Sequence, residues 1–150
     1  MRKCLIKMTR KKPMKQIDVQ GKPYLQRYYL GSLAGVQFWL HRFLSADGDR
    51  HHHNHPWRAL SIVLAGRYTE HLLSGQNLTT RSRRPLGMPA IIGRNRTHRI
   101  GWIKPETWTL MIVGPRRFPF WSFINTDGSK ERVATSARDW WRYCGTRPDR

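Results

Sequence analysis

His51-His52-His53-Asn54-His55-Pro56-Trp57 is the stretch on which the reading of this chain turns, and His98 answers it 43 residues after His55. Imidazole is the commonest protein ligand for zinc, copper, iron and nickel. Side chains alternate along a strand, so His53 and His55 share one face. A third imidazole from a distant strand then completes one face of a coordination sphere. The plain alternative is an exposed, histidine-rich loop that takes up metal adventitiously. A second register, His51 with His53, is also open.

Outward from this stretch, short apolar runs alternate with turn signals. The runs are Tyr24–Leu30, Val36–Phe43, Ala59–Leu64, Arg67–Leu73, Thr79–Arg84, Ala90–Ile92, His98–Trp102, Trp108–Val113 and Phe118–Ile124. Gly31–Gly35, Asp47-Gly48-Asp49 and Gly66 punctuate them. Many short strands at this spacing predict an all-β sandwich or barrel. Trp108, Leu110 and Ile112 fall on one face of their run, and Thr109, Met111 and Val113 on the other. Two apolar faces place that strand deep in a two-layer structure. One helix is predicted, Ser136–Tyr143, with Ser136 as its N-cap. The expected organisation is a single domain: a basic, mobile N-terminal arm over residues 1–20, a barrel over 21–125, and a C-terminal extension over 126–150.

Seven Trp, five Tyr and five Phe exclude a disordered chain, and no run of eighteen apolar residues predicts a membrane span. Cys4 and Cys144 stand at opposite ends, which suggests free thiols and a cytoplasmic protein. The 28 Lys and Arg against nine acids give a formal charge of +19, which attracts polyanions. Arg94, Arg96 and Arg99 flank His98, and Arg116-Arg117 sits beside Phe118 and Phe120. These five are the candidate anion- or nucleic-acid-binding residues. Arg81, Arg83 and Arg84 read as a solvated charged surface. Tyr68 and Glu70 share a face of their strand, so a phenol and a carboxylate could enter a cavity together as acid–base groups. His41, on the strand before the histidine loop, is either a substrate-facing group or a structural histidine.

These residues resemble the cupin superfamily, whose first motif runs G-x5-H-x-H-x3,4-E-x6-G and whose second runs G-x5-P-x-G-x2-H-x3-N. His53 and His55 stand as H-x-H, Gly66 as the closing glycine, and Ala59 where the glutamate would be. In the second motif Gly87 opens, Gly93 and Asn95 replace proline and glycine, His98 takes the histidine position and Trp102 the asparagine. The order Leu40-His41-Arg42-Phe43, His53-Asn54-His55-Pro56-Trp57, Ser61 to Glu70, His98-Arg99, Trp108-Thr109-Leu110, Gly114-Pro115 and Trp121-Ser122-Phe123 is also similar to a small cupin family of phages and bacteria.

The resemblance covers Tyr24 to Phe123. It implies a double-stranded β-helix, or jelly roll, with His53, His55 and His98 as ligands of a divalent metal. Iron(II) is the first expectation, with zinc, nickel or manganese behind it. Three histidine ligands also serve iron in the superfamily's thiol dioxygenases, so an oxidoreductase acting on a nucleotide, a phosphorylated metabolite or a nucleic-acid base is the leading reading. With Ala59 at the glutamate position, Glu70 becomes a ligand, a general base or a partner behind a ligand. A strongly basic cupin-fold protein that binds nucleic acid or an acidic host protein without catalysis is the second reading. A metal-free epimerase using His53 or His55 with Tyr68 is a third. A homodimer is compatible with all of them.

Overall fold

A computed structural model describes residues 1–12, 14–19, 21–45, 52–75, 77–93, 96–115, 120–124 and 130–134. The element order is α1 (Arg2–Thr9), β1 (Met14–Val19), β2 (Lys22–Leu33), β3 (Val36–Phe43), β4 (His52–His53), β5 (Ala59–Ala65) and β6 (Tyr68–Ser74). It continues with β7 (Asn77–Arg83), β8 (Ala90–Ile92), β9 (Thr97–Ile103), β10 (Thr107–Val113), β11 (Phe120–Ile124) and β12 (Lys130–Ala134). Two six-stranded antiparallel sheets result, ordered β1-β2-β3-β10-β5-β8 and β12-β11-β4-β9-β6-β7. The crossings between non-consecutive strands are those of a jelly roll, so the predicted all-β architecture is present. No described helix is long and apolar enough to cross a membrane.

β10 lies between β3 and β5, and Trp108, Thr109, Met111 and Val113 are buried on its two faces. Its doubly apolar pattern therefore matches its central place. One face of the first sheet packs Tyr28, Leu40, Ala65 and Trp108 against Leu5 of α1. The opposite face looks toward the second sheet and carries Leu25, Phe43 and Val63, packed with Tyr68 and Ile103.

The N-terminal stretch, read from sequence as an arm, contains a helix and the edge strand of a sheet. Leu5 is buried and β1 pairs along β2. Seven of the first fifteen residues are Lys or Arg, which hid the single apolar anchor among solvated charges. Gly66 closes the β5–β6 turn with φ of +83°, and an added Cβ would stand 2.7 Å from the Thr107 Cα. Only glycine meets both demands, and this turn sets the register that brings Glu70 inside. The Asp47-Gly48-Asp49 loop, His51 and the predicted helix Ser136–Tyr143 lie outside the described residues.

A candidate metal centre

β4 is two residues long, yet it is fixed on both sides. His53 pairs with Phe123 of β11 and with His98 of β9. Just beyond it, Asn54 clasps Ser122 twice. Asn54 N donates to Ser122 O at 3.1 Å, and Ser122 N donates to Asn54 Oδ1 at 2.7 Å. Pro56 is fully buried and Trp57 stacks on the His55 ring at 4.3 Å between centroids. These contacts hold His53 and His55 on one side of the chain even though the strand has ended.

The three rings converge. His53 and His55 centroids lie 4.9 Å apart, and each lies 5.1 Å from that of His98. One nitrogen from each ring falls within 4.8 Å of the other two, and the His55 and His98 Nε2 atoms are 2.9 Å apart. His53 and His98 are buried and His55 is half-buried. Burial holds the His55 imidazole well below the ordinary histidine range, and its neighbours His53, His98, Arg27 and His41 push it the same way. A neutral imidazole is the form that offers a lone pair to a metal.

Behind His98 stands Glu70. Its Oε1 is 2.7 Å from His98 Nδ1. A carboxylate can only accept, so Nδ1 carries the proton and His98 Nε2 presents its lone pair to the other rings. Glu70 Oε2 accepts from Arg83 Nε at 2.9 Å and Nη2 at 2.6 Å, and Arg96 Nη2 lies 3.5 Å away. Burial alone would raise the Glu70 carboxyl. The His98 hydrogen bond and charge outweigh it, followed by those of Arg83, and bring it down to about 2. Arg83, read from sequence as a solvated residue, is therefore an internal cation whose Nη1 also donates to Met88 O and Pro89 O.

The set of residues fits a divalent ion. Two nitrogens bound to one ion at about 2.1 Å and near a right angle stand about 3.0 Å apart, close to the 2.9 Å between His55 and His98. Two such nitrogens stand at most about 4.2 Å apart, so a pair near the 4.8 Å limit of this cluster must draw in on binding. Ala59, at the position of the superfamily's glutamate ligand, is buried among Ile92, Met111 and Val113. No carboxylate belongs to the cluster among the described residues.

The remaining candidates are dispersed. Tyr68 is buried in the core against Phe43, and burial followed by the Glu70 charge pushes its phenol up to about 12 despite a Ser61 partner. His41 is buried, accepts a bond at 3.2 Å from Arg27 Nε, and is held well below its usual range by burial and then by Arg27. Arg96 donates from Nη1 to the Ile91 carbonyl and turns Nη2 toward Glu70 at 3.5 Å, an ion-pair distance at which Nη2 makes no hydrogen bond among the described residues. Arg99 is adjacent to His98 on β9, so strand alternation turns it to the opposite face, beside His71. Arg94, Arg116 and Arg117 lie outside the described residues. Sequence reasoning missed Arg27, whose only signal is its place directly opposite His41 across β2 and β3.

No family model and no curated protein matches the chain. Solved structures do. An iron(II) HEPD of Streptomyces albus with bound 2-hydroxyethylphosphonate aligns with a TM-score of 0.58 at 13% identity, over 71% of this chain and 25% of that one. An iron(II) HppE with an alternative substrate gives 0.55 at 15% identity, over 71% and 57%. KdgF of a Halomonas species gives 0.53 at 19% identity, over 68% and 88%. This chain thus spans little more than half of the HppE chain and a quarter of the HEPD chain. What it shares with them is the fold, a double-stranded β-helix.

Proposed function

We propose that His53, His55 and His98 hold a divalent metal ion and that the barrel is a metal-dependent enzyme for a small anionic substrate. The observation that carries this reading is the convergence of three ring nitrogens within 4.8 Å, with His98 oriented from behind by Glu70. Iron(II) is the favoured ion, because two neighbours of the same fold carry it. Three neutral imidazoles leave a divalent ion its full charge and open positions, and such an ion supplies Lewis-acid chemistry or, as iron, oxidation chemistry.

The protein's own part is positional. Glu70 fixes the His98 tautomer and ring plane. Its depressed carboxyl suits that positioning role and not that of a proton acceptor near neutral pH. Tyr68 closes the core beside it. His41 faces the cavity between the sheets as a polar group that accepts from Arg27.

The test is metal content in protein purified without a histidine tag. One ion per chain is expected in the wild type, with loss in His53→Ala and His98→Ala. Stoichiometric metal in both variants would remove the proposal. The +19 charge supports a second reading, a nucleic-acid-binding barrel. That reading predicts an affinity falling steeply with salt and indifferent to loss of the histidines.

A further inference from the structure

A row of directly opposed residues crosses the first sheet: Lys15 faces Arg27, Arg27 faces His41, His41 faces Thr109 and Thr109 faces Val63. Directly opposed side chains on one face are near neighbours. Val63 packs in the core between the sheets, so the row lines the interior that the histidine cluster also enters. It grades from an exposed lysine through a half-buried arginine and a buried histidine to a threonine only 1% exposed.

Three features of this row lack an internal explanation. Like charges placed opposite each other across an antiparallel pair repel, yet Lys15 and Arg27 are so placed. Neither has a carboxylate partner among the described residues. The buried Thr109 Oγ1 has no hydrogen-bond partner among the described residues either, and such a group destabilises the fold. The cationic end lines an open depression of about 370 Å³ together with Met14, Tyr29, Gln37 and Trp39. The Arg27 guanidinium lies 4.7 Å over the Trp39 ring, which leans on Tyr29. Stacking on Trp39 fixes the guanidinium plane without using all of its N–H donors. Burial brings Arg27 down to about 10, and partial burial followed by Arg27 itself lowers Lys15, so each cation is held at a cost.

We infer that Lys15 and Arg27 form a binding site for a doubly charged oxyanion, a phosphoryl or phosphonyl group, whose organic remainder runs along Trp39 and His41 toward the three histidines. Two facing cations relieve their repulsion best with a dianion between them, and the guanidinium fork matches tetrahedral oxygens. This site deepens the metal-enzyme reading by assigning the substrate's charged group, but the anion contacts themselves need no metal.

The probe is inorganic phosphate, titrated into the metal-free chain while the arginine Nε–H signals are followed by nuclear magnetic resonance. The Arg27 signal, assigned by its loss in Arg27→Gln, is expected to move and saturate. Read from the Arg27 signal, affinity is expected to fall about tenfold or more in Lys15→Gln and to stay within about twofold in the exposed control Arg81→Gln. Lys15 is exposed, so its variant keeps the test valid if the Arg27 variant fails to fold. Acetate at equal concentration is expected to compete weakly. Unchanged phosphate affinity in Lys15→Gln, a motionless Arg27 signal, or acetate binding as tightly as phosphate would each overturn the site. Metal content is measured separately on the same variants and is expected to be unchanged. Failure of the metal centre and failure of the anion site are therefore distinct outcomes.

Discussion

Glu70 Oε1 stands 2.7 Å from His98 Nδ1 while Glu70 Oε2 takes the Arg83 guanidinium at 2.6 Å. One buried carboxylate thus couples a candidate metal ligand to an internal cation, and the two roles fail together when it is removed.

The first prediction concerns ligand orientation. Glu70→Gln leaves an amide that cannot satisfy both His98 and Arg83. Metal affinity is expected to drop about 10- to 100-fold, as for other partners behind a ligating histidine. Competitive titration with a chelator measures it. Affinity within twofold of wild type would show that Glu70 does not position His98.

The same substitution strips Arg83 of its counterion. Breaking a buried pair on one side costs about 3–5 kcal/mol, to be read from urea denaturation of the metal-free protein. Glu70→Gln combined with Arg83→Met is expected to recover part of that loss, because the unpaired buried charge is gone. A double variant as unstable as the sum of the two singles would contradict the pairing.

Acid stability follows from the same carboxyl. The Glu70 carboxyl is lowered from 4.5 to about 2 in the folded chain. A lowered carboxyl contributes stability that is present above the unfolded value and lost as pH falls through the folded one. The stability gap between wild type and Glu70→Gln should therefore hold steady above about pH 5 and narrow between about 4.5 and 2. Tryptophan fluorescence during denaturation at each pH provides the measure. A gap that widens on acidification would reverse the sign.

The β5–β6 turn offers a test of the scaffold. Gly66→Ala forces a side chain into a left-handed conformation and against the Thr107 backbone. A loss of more than about 1 kcal/mol is expected, read from the thermal midpoint, while Gly75→Ala, with open space around it, should cost less.

The strand pattern was largely legible in the sequence because alternation and turn residues are local. Val36–Phe43 and Ala90–Ile92 coincide with β3 and β8, and the other predicted runs match strands whose ends shift by a few residues, while β1, β4 and β12 have no counterpart among the predicted runs. The histidine triad was legible because its spacing survives in the motif order. What escaped is set by long-range partners. Helix α1 offers one buried Leu5 in a field of cations, and its stability comes from Trp108 and Leu40 far along the chain. Arg83 and Arg96 look like any other of the 28 basic residues until Glu70 meets them inside. Arg27 is distinguished only by the register that sets it between Lys15 and His41.

X-ray absorption at the metal edge of the iron(II)-loaded chain tests the central claim most directly. Three imidazoles on one ion should give the multiple-scattering pattern of histidine with a first shell near about 2.1 Å, reduced to two imidazoles in His98→Ala. An iron spectrum without imidazole scattering, or one unchanged by that substitution, would contradict the three-histidine centre.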